Sequence, residues 1–88
     1  MEILVTLRDI NNIGKLTTAC DGFIVGSLFT SGYHFTIDEL CKVRRHCFEH
    51  NIKCYVTIEN FINEQEKPQL IKYLELLKNI NVDGISIQ

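Results

Sequence analysis

The sequence predicts an α/β fold, with four parallel strands and their connecting helices forming one half of a (β/α)8 barrel. The dipeptide Asp-Gly occurs at Asp21-Gly22 and again at Asp83-Gly84, each time after a helix pattern and before a short apolar run. Four such runs are continuous in hydrophobicity, as expected of parallel strands covered on both faces. A closed barrel needs eight strands in about 250 residues. The 88 residues therefore predict a single domain, 1–88, that holds half of a ring.

The first two strands are predicted at residues 3–5 and 23–25, the second ending at Gly26. Between them, Asp9 is placed to cap a helix. Its apolar stripe consists of Ile10, Ile13, Leu16 and Thr17. Gly14 weakens this helix by about 1 kcal/mol relative to alanine. Gly22 suits the tight turn that leads into the second strand.

A polar loop is predicted over residues 27–35, on the barrel face where active sites lie. Thr36 and Glu39 then form a capping box for a helix that runs to about His50. Strand three follows at residues 52–58, rich in β-branched and aromatic side chains.

The third helix has the strongest periodicity. Its stripe consists of Leu70, Tyr73, Leu74, Leu77 and Ile80. Pro68 must lie in the first turn, so the regular helix is predicted to begin near Glu66 or Lys67. The fourth strand is predicted at residues 85–87.

Composition is that of a soluble globular protein, with 45% hydrophobic and 23% charged residues and a net charge of -2. Neither sign of charge is clustered, so the sequence gives no direct reason to expect nucleic acid binding. It has no basic leader and no apolar run of about 18 residues, so we expect a cytoplasmic protein that does not enter a membrane.

The four cysteines have no metal-binding spacing, so we expect free structural thiols. These are Cys20, Cys41, Cys47 and Cys54. We predict no metal and no cofactor in this segment.

The segment His46-Cys47-Phe48-Glu49-His50 matches the inverted zinc-protease pattern, in which two histidines hold zinc and a glutamate acts as a base. A zinc hydrolase using His46, Glu49 and His50 is therefore one alternative function. On a helical wheel, however, these three side chains point to solvent. The opposite side, predicted to be buried, carries Ile37, Leu40, Cys41 and Phe48.

Barrel enzymes place their sites where strands reach their carboxyl ends, so polar residues there are the candidate substrate-binding set. They are Thr6, Arg8, Gly26, Ser27, Glu59, Asn60 and Gln88. The catalytic residues remain unassigned.

Several segments together resemble the amino-terminal portion of the collagenase-like peptidase family U-32. They are Met1 to Thr6, Asp21 to Gly26, Lys53 to Thr57, Tyr73-Leu74 with Leu77-Lys78, and Val82 to Ile85. The resemblance implies the first strands of a TIM-type barrel. It also implies a peptidase, or a relative that acts in hydroxylation of RNA or quinone precursors with an iron-sulfur cluster. The cysteine signature of the family is absent from this chain.

We therefore expect a truncated half-barrel without catalytic activity of its own. Its uncovered sheet face, predicted to be lined by Leu4, Ile24 and Val56 or by their neighbours, would need a homo-oligomer or the missing carboxyl-terminal half of the barrel to cover it. The alternative from the binding class is a small module that docks a partner on this face.

Overall fold

Four parallel strands form one sheet in the order β1-β2-β3-β4 in the computed structural model, which describes residues 1–26, 35–58 and 67–87. The strands are β1 (Leu4–Leu7), β2 (Gly22–Gly26), β3 (Lys53–Ile58) and β4 (Gly84–Ile87). All four were predicted within two residues at each end. The predicted parallel sense of the four strands is confirmed.

Three helical segments connect the strands. The first, α1 (Ile13–Leu16), has a 3-10 turn on each side, at Ile10–Asn12 and Thr17–Ala19. The others are α2 (Ile37–Glu49) and α3 (Lys67–Asn79). Asp9 accepts a hydrogen bond from the Asn11 amide at 3.0 Å, so the predicted cap is present.

The capping box at the start of α2 is confirmed. The Thr36 hydroxyl accepts from the Glu39 amide at 3.2 Å, and the Glu39 carboxylate accepts from the Thr36 amide at 3.0 Å. Two orphan amides of the first turn are thereby satisfied.

Both long helices end at an asparagine in the left-handed region, Asn51 with φ 57° and Asn81 with φ 64°. After α2, the Ile52 amide donates to the Cys47 carbonyl and the Asn51 amide to the Phe48 carbonyl. The same pair of bonds follows α3, and it defines a Schellman motif at each end. The left-handed residue that turns each of these two helices back to the sheet is thus asparagine.

The core lies between the helices and one face of the sheet. Its sheet residues are Leu7, Phe23, Val25, Cys54, Val56 and Ile58, and its helical residues include Leu40, Val43, Cys47, Tyr73 and Leu77. The stripe predicted for α3 is confirmed. The one predicted for α2 is partly wrong, because Cys41 is exposed and Phe48 is 74% exposed. The buried line of α2 runs through Leu40, Val43 and Cys47, which leaves these two side chains on its flank.

Candidate functional site

The strand register assigns every strand residue to one of two faces. We call the face that packs on the helices the covered face, and its central row is Leu7, Val25, Val56 and Ile85. The alternate residues form the open face: Leu4, Thr6, Gly22, Ile24, Gly26, Lys53, Tyr55, Thr57, Gly84 and Ser86. None of them belongs to the hydrophobic core. Leu4 and Ile24 lie on the open face as predicted. On β3 the open-face residues are the neighbours of Val56, because Val56 itself is fully buried on the covered face.

The open face changes character from one end of the strands to the other. Near the amino ends the Tyr55 ring lies against Gly84, and Leu4 and Lys53 flank Gly22. At the carboxyl ends Gly26, Thr57 and Ser86 share one row. This upper row carries hydroxyl groups and no bulky apolar side chain, so it can offer hydrogen bonds to a polar ligand.

Three of the predicted site residues lie in the part of the chain that the structure describes. Thr6 is exposed on the open face, Arg8 is exposed just after β1, and Gly26 ends β2 in the upper row. Ser27, Glu59, Asn60 and Gln88 lie outside the described residues. The assignment of all seven as substrate-binding residues therefore stays a prediction.

Thr57 and Ser86 are open-face residues that the sequence reasoning missed. The Thr57 hydroxyl lies 3.4 Å from the Val25 carbonyl oxygen, to which it donates, and Ser86 is exposed. Both lie inside strands, whereas the candidate residues predicted from the sequence were those at or after the carboxyl end of each predicted strand. Counting back two positions from the candidates Glu59 and Gln88 would have found them, because every second residue of a strand shares a face.

The two Asp-Gly dipeptides hold the amino ends of neighbouring strands together in the same way. The Asp21 carboxylate accepts from the Ile3 amide at 2.6 Å, and the Asp21 amide donates to the Ile3 carbonyl at 2.7 Å. Asp83 makes the equivalent pair of bonds with Cys54, at 2.7 and 2.8 Å. We call each arrangement an aspartate clasp. The clasps fix the level at which β2 begins beside β1 and β4 begins beside β3, and the second clasp thereby places Ser86 beside Thr57 in the upper row.

The glycine of each dipeptide is needed for space on the open face. A β-carbon on Gly22 would lie 2.9 Å from the Lys53 carbonyl oxygen, and one on Gly84 would lie 2.8 Å from the Tyr55 ring. Their role is close approach within the sheet and not the turn itself, which begins one residue earlier at the clasp.

The histidines of the zinc-protease pattern lie in different environments. His46 is half-buried, and its Nε2 lies 2.7 Å from the Thr17 hydroxyl. That hydroxyl donates to the Ile13 carbonyl at 2.6 Å, so His46 is the donor to Thr17 and joins the first helical segment to α2. His50 is exposed, with its ring centroid 4.2 Å from that of His46. The prediction that both rings face solvent is therefore wrong for His46.

The environment of His46 decides whether it can act as a general base or as a zinc ligand. Desolvation lowers the pKa of His46, the neighbouring His50 lowers it further, and Glu49 opposes this shift. Because the Thr17 proton is engaged by a carbonyl, His46 is not placed to take it as a general base. Within residues 1–26, 35–58 and 67–87, no three His, Cys, Asp or Glu side chains are grouped to hold a metal ion.

A parallel sheet with helices on one face and a polar upper row on the other defines an α/β protein that is consistent with part of a barrel. The family model for Peptidase family U32 matches residues 27–88, and the chain belongs to this family. In the solved structure of the U32 peptidase Mk0906, the matching region has a TM-score of 0.74 and 14% sequence identity. The match covers 99% of this chain and 40% of that one, and it supports the shared fold.

No curated protein matches the chain. Among the described helices, none has the length and apolar character to cross a membrane.

Proposed function

We propose that this chain supplies the amino-terminal wall of a U32-type β/α barrel, with the upper row of its open face at the mouth of the barrel where a peptide binds, and that it has no peptidase activity alone. The observation that carries the proposal is the open face itself. It has a hydroxyl-bearing upper row and lies between two edge strands, β1 and β4. A peptide main chain offers the donors and acceptors that such hydroxyls bind.

The stagger of the strands supports closure into a ring. Gly22 of β2 is level with Leu4 and Lys53, whereas Gly84 of β4 is level with Tyr55, two residues further along β3. The second clasp therefore starts its strand two residues higher than the first. Strands of a closed barrel tilt and shift in register in this manner.

The strands that complete the ring come, in our proposal, from a second copy of the chain. A two-fold axis along the barrel would place β4 of one copy beside β1 of the other, in parallel, and four plus four strands give the eight that a filled barrel requires. The small, polar upper row disfavours a dry, face-to-face dimer, because it provides little apolar area to bury.

The proposal is tested by measuring the solution mass of the purified chain by light scattering, together with hydrolysis of a fluorogenic peptide library. We expect a dimer that does not cleave peptides. A chain that stays monomeric up to millimolar concentration would overturn the proposed closure by a second copy, and specific cleavage by the chain alone would overturn the proposed inactivity.

A matched pair of variants identifies the surface involved. Ile24→Lys places a charge in the middle of the open face, and we expect it to abolish the dimer. Ile71→Lys makes the same change at a side chain of α3 that is 58% exposed, and we expect the dimer to remain. If Ile71→Lys abolishes the dimer and Ile24→Lys does not, the dimer interface lies on the helices and not on the open face.

A further inference from the structure

Glycines leave two gaps among the side chains of the open face, one at each end of β2. At its amino end, the Lys53 ammonium of β3 reaches over Gly22 and pairs with the Glu2 carboxylate at 3.3 Å. At its carboxyl end, Gly26 lies level with Thr57 of β3. The first gap shows that a long cationic side chain can cross β2 where that strand has no side chain of its own.

Arg8 extends the row that contains the second gap. The register of β1 and β2 pairs Leu7 with Val25, so the next residue of each strand brings Arg8 level with Gly26. The backbone is still extended at Asp9, with φ -139° and ψ 123°, so the alternation of faces continues past the end of β1. Because Leu7 is buried on the covered face, the exposed Arg8 lies on the open face.

Two hydroxyl groups lie across this gap from Arg8. The Thr57 hydroxyl donates to the Val25 carbonyl of β2 at 3.4 Å, so it leans toward the gap over Gly26. A hydrogen bond of this length is weak, so its proton can turn to a better acceptor. Ser86 is level with Thr57 on β4 and is exposed. Since neighbouring strands lie about 4.8 Å apart, about 10 Å separates the backbones of β1 and β3, which leaves room above the glycine for a group the size of a carboxylate.

Two carboxylates at this edge of the sheet are engaged by backbone amides. Asp9 accepts from the Asn11 amide and Glu39 from the Thr36 amide, each at 3.0 Å, and each caps the start of a helical segment. The row itself carries one positive charge and no negative one. Arg8 can serve a ligand in addition to contacts within the chain, because a guanidinium has five N–H donors.

We propose that this row binds a carboxylate of the peptide, with the Arg8 guanidinium donating to its oxygens and the Thr57 and Ser86 hydroxyls donating to the same group or to the adjoining main chain. This inference rests on the proposed function, because it names the part of the peptide that the barrel mouth recognises. The ligand carboxylate takes the role that Glu2 has in the first gap. The planar fork of arginine suits it, because it can meet both oxygens of a carboxylate at once.

The test compares three acetylated tripeptides by NMR titration of the whole, isotope-labelled chain. They are acetyl-trialanine with a free carboxyl terminus, the amide of acetyl-Ala-Glu-Ala, and the uncharged amide of acetyl-trialanine. We expect at least one carboxylate peptide to shift the amide signals of Thr57 and Ser86 and to bind at least about tenfold more tightly than the uncharged peptide. The tighter of the two carboxylate peptides shows whether a chain terminus or an acidic side chain supplies the group.

A matched pair of charge variants tests the role of Arg8. Arg8→Gln should reduce the preference for the carboxylate to less than about twofold, whereas Lys15→Gln, which removes an exposed cation from α1, should leave it unchanged. Thr57→Val keeps the shape of the side chain and should weaken carboxylate binding by about threefold to tenfold. Should Arg8→Gln not fold, as judged by the dispersion of its amide signals, Thr57→Val decides the matter.

The outcomes separate this inference from the proposed function. Equal affinity for the charged and uncharged peptides would contradict carboxylate recognition and leave the peptide site in place. A carboxylate preference that persists in Arg8→Gln would contradict its assignment to this row. If no peptide shifts the Thr57 or Ser86 amides up to about 10 mM, beyond even millimolar affinity, both this inference and the proposed peptide binding are wrong. Light scattering on the same samples tests closure of the ring separately.

Discussion

The two faces of the sheet are built from the same four strands but for different surroundings. On the covered face, Leu7 is 1% exposed and Val25 and Val56 are fully buried against the helices. On the open face, the rows hold glycine, threonine, serine and a few larger side chains, and Leu4 is 40% exposed. The covered face is buried at its centre, although Ile85 on the edge strand β4 is 39% exposed. The small and polar upper row of the open face suits the mouth of a barrel that further strands complete.

The largest effect that separates the faces is expected from one pair of leucines on β1. Leu7→Ala removes a core side chain and should lower the free energy of unfolding by about 2–5 kcal/mol, whereas Leu4→Ala on the open face should cost less than about 1 kcal/mol. Urea denaturation of the monomeric Ile24→Lys background measures both values. Equal losses would mean that the two faces do not differ in burial.

The aspartate clasps are expected to differ in strength because their surroundings differ. The Asp83 carboxylate bond is partly buried and the Asp21 bond is exposed. Asp83→Ala should therefore cost about 2 kcal/mol and Asp21→Ala about 1 kcal/mol, since water replaces the exposed bond more readily. Chemical denaturation of both variants tests this order, and a larger loss for Asp21→Ala would contradict it.

Alanine substitutions at the two dipeptide glycines should differ in cost, because Gly22 faces a rigid backbone carbonyl and Gly84 faces a side chain that can move. Gly22→Ala sets a β-carbon against the Lys53 carbonyl and should cost about 1–3 kcal/mol, as overpacking does. Gly84→Ala meets only the Tyr55 ring, which can swing away over the open face, so its cost should stay below about 1 kcal/mol. A larger cost for Gly84→Ala in thermal unfolding would mean that the open face is already packed.

The smallest expected effect is the pH dependence of stability that comes from His46, whose hydrogen bond to Thr17 joins the first helical segment to α2. The pKa of His46 in the folded chain lies below its ordinary value of 6.5, so the unfolded chain binds more protons as the pH falls through that value. Stability should thus be full above pH 6.5 and decline below it. His46→Gln, which keeps a donor for Thr17, should flatten this decline, whereas His50→Gln should retain most of it. A pH series of denaturation curves measures both.

The strands and their order were predictable because continuous apolar runs separated by capped helices leave few alternatives. Which side of each helix faces the sheet was less predictable. Phe48 and Cys41 were predicted to lie on the buried side of α2, but the residues buried on this helix are Leu40, Val43 and Cys47. Phe48 is exposed, and its ring centroid lies 5.6 Å from the Arg44 guanidinium. A helix with apolar side chains over more than half a turn does not reveal from sequence alone which of them faces the sheet.

The location of the candidate site at the carboxyl ends of the strands was predictable, but not all of its residues were. Gly26 was found because it ends a strand, whereas Thr57 and Ser86 depend on cross-strand register. The register that places Ser86 beside Thr57 is set by the Asp83 clasp, whose bonds join residues 29 positions apart in the chain. By contrast, the Schellman bonds at Asn51 and Asn81 are local in the chain, and the sequence reasoning did not single out these two asparagines.

The most direct test of the central claim, that the open face is closed by further parallel strands, is amide hydrogen exchange of β1 and β4 at concentrations where the chain associates. We expect the outward-pointing amides of both edge strands to exchange at least about tenfold more slowly than in the Ile24→Lys variant, because they would gain partners across the new strand pairs. Equal, rapid exchange of these amides in both proteins would contradict closure.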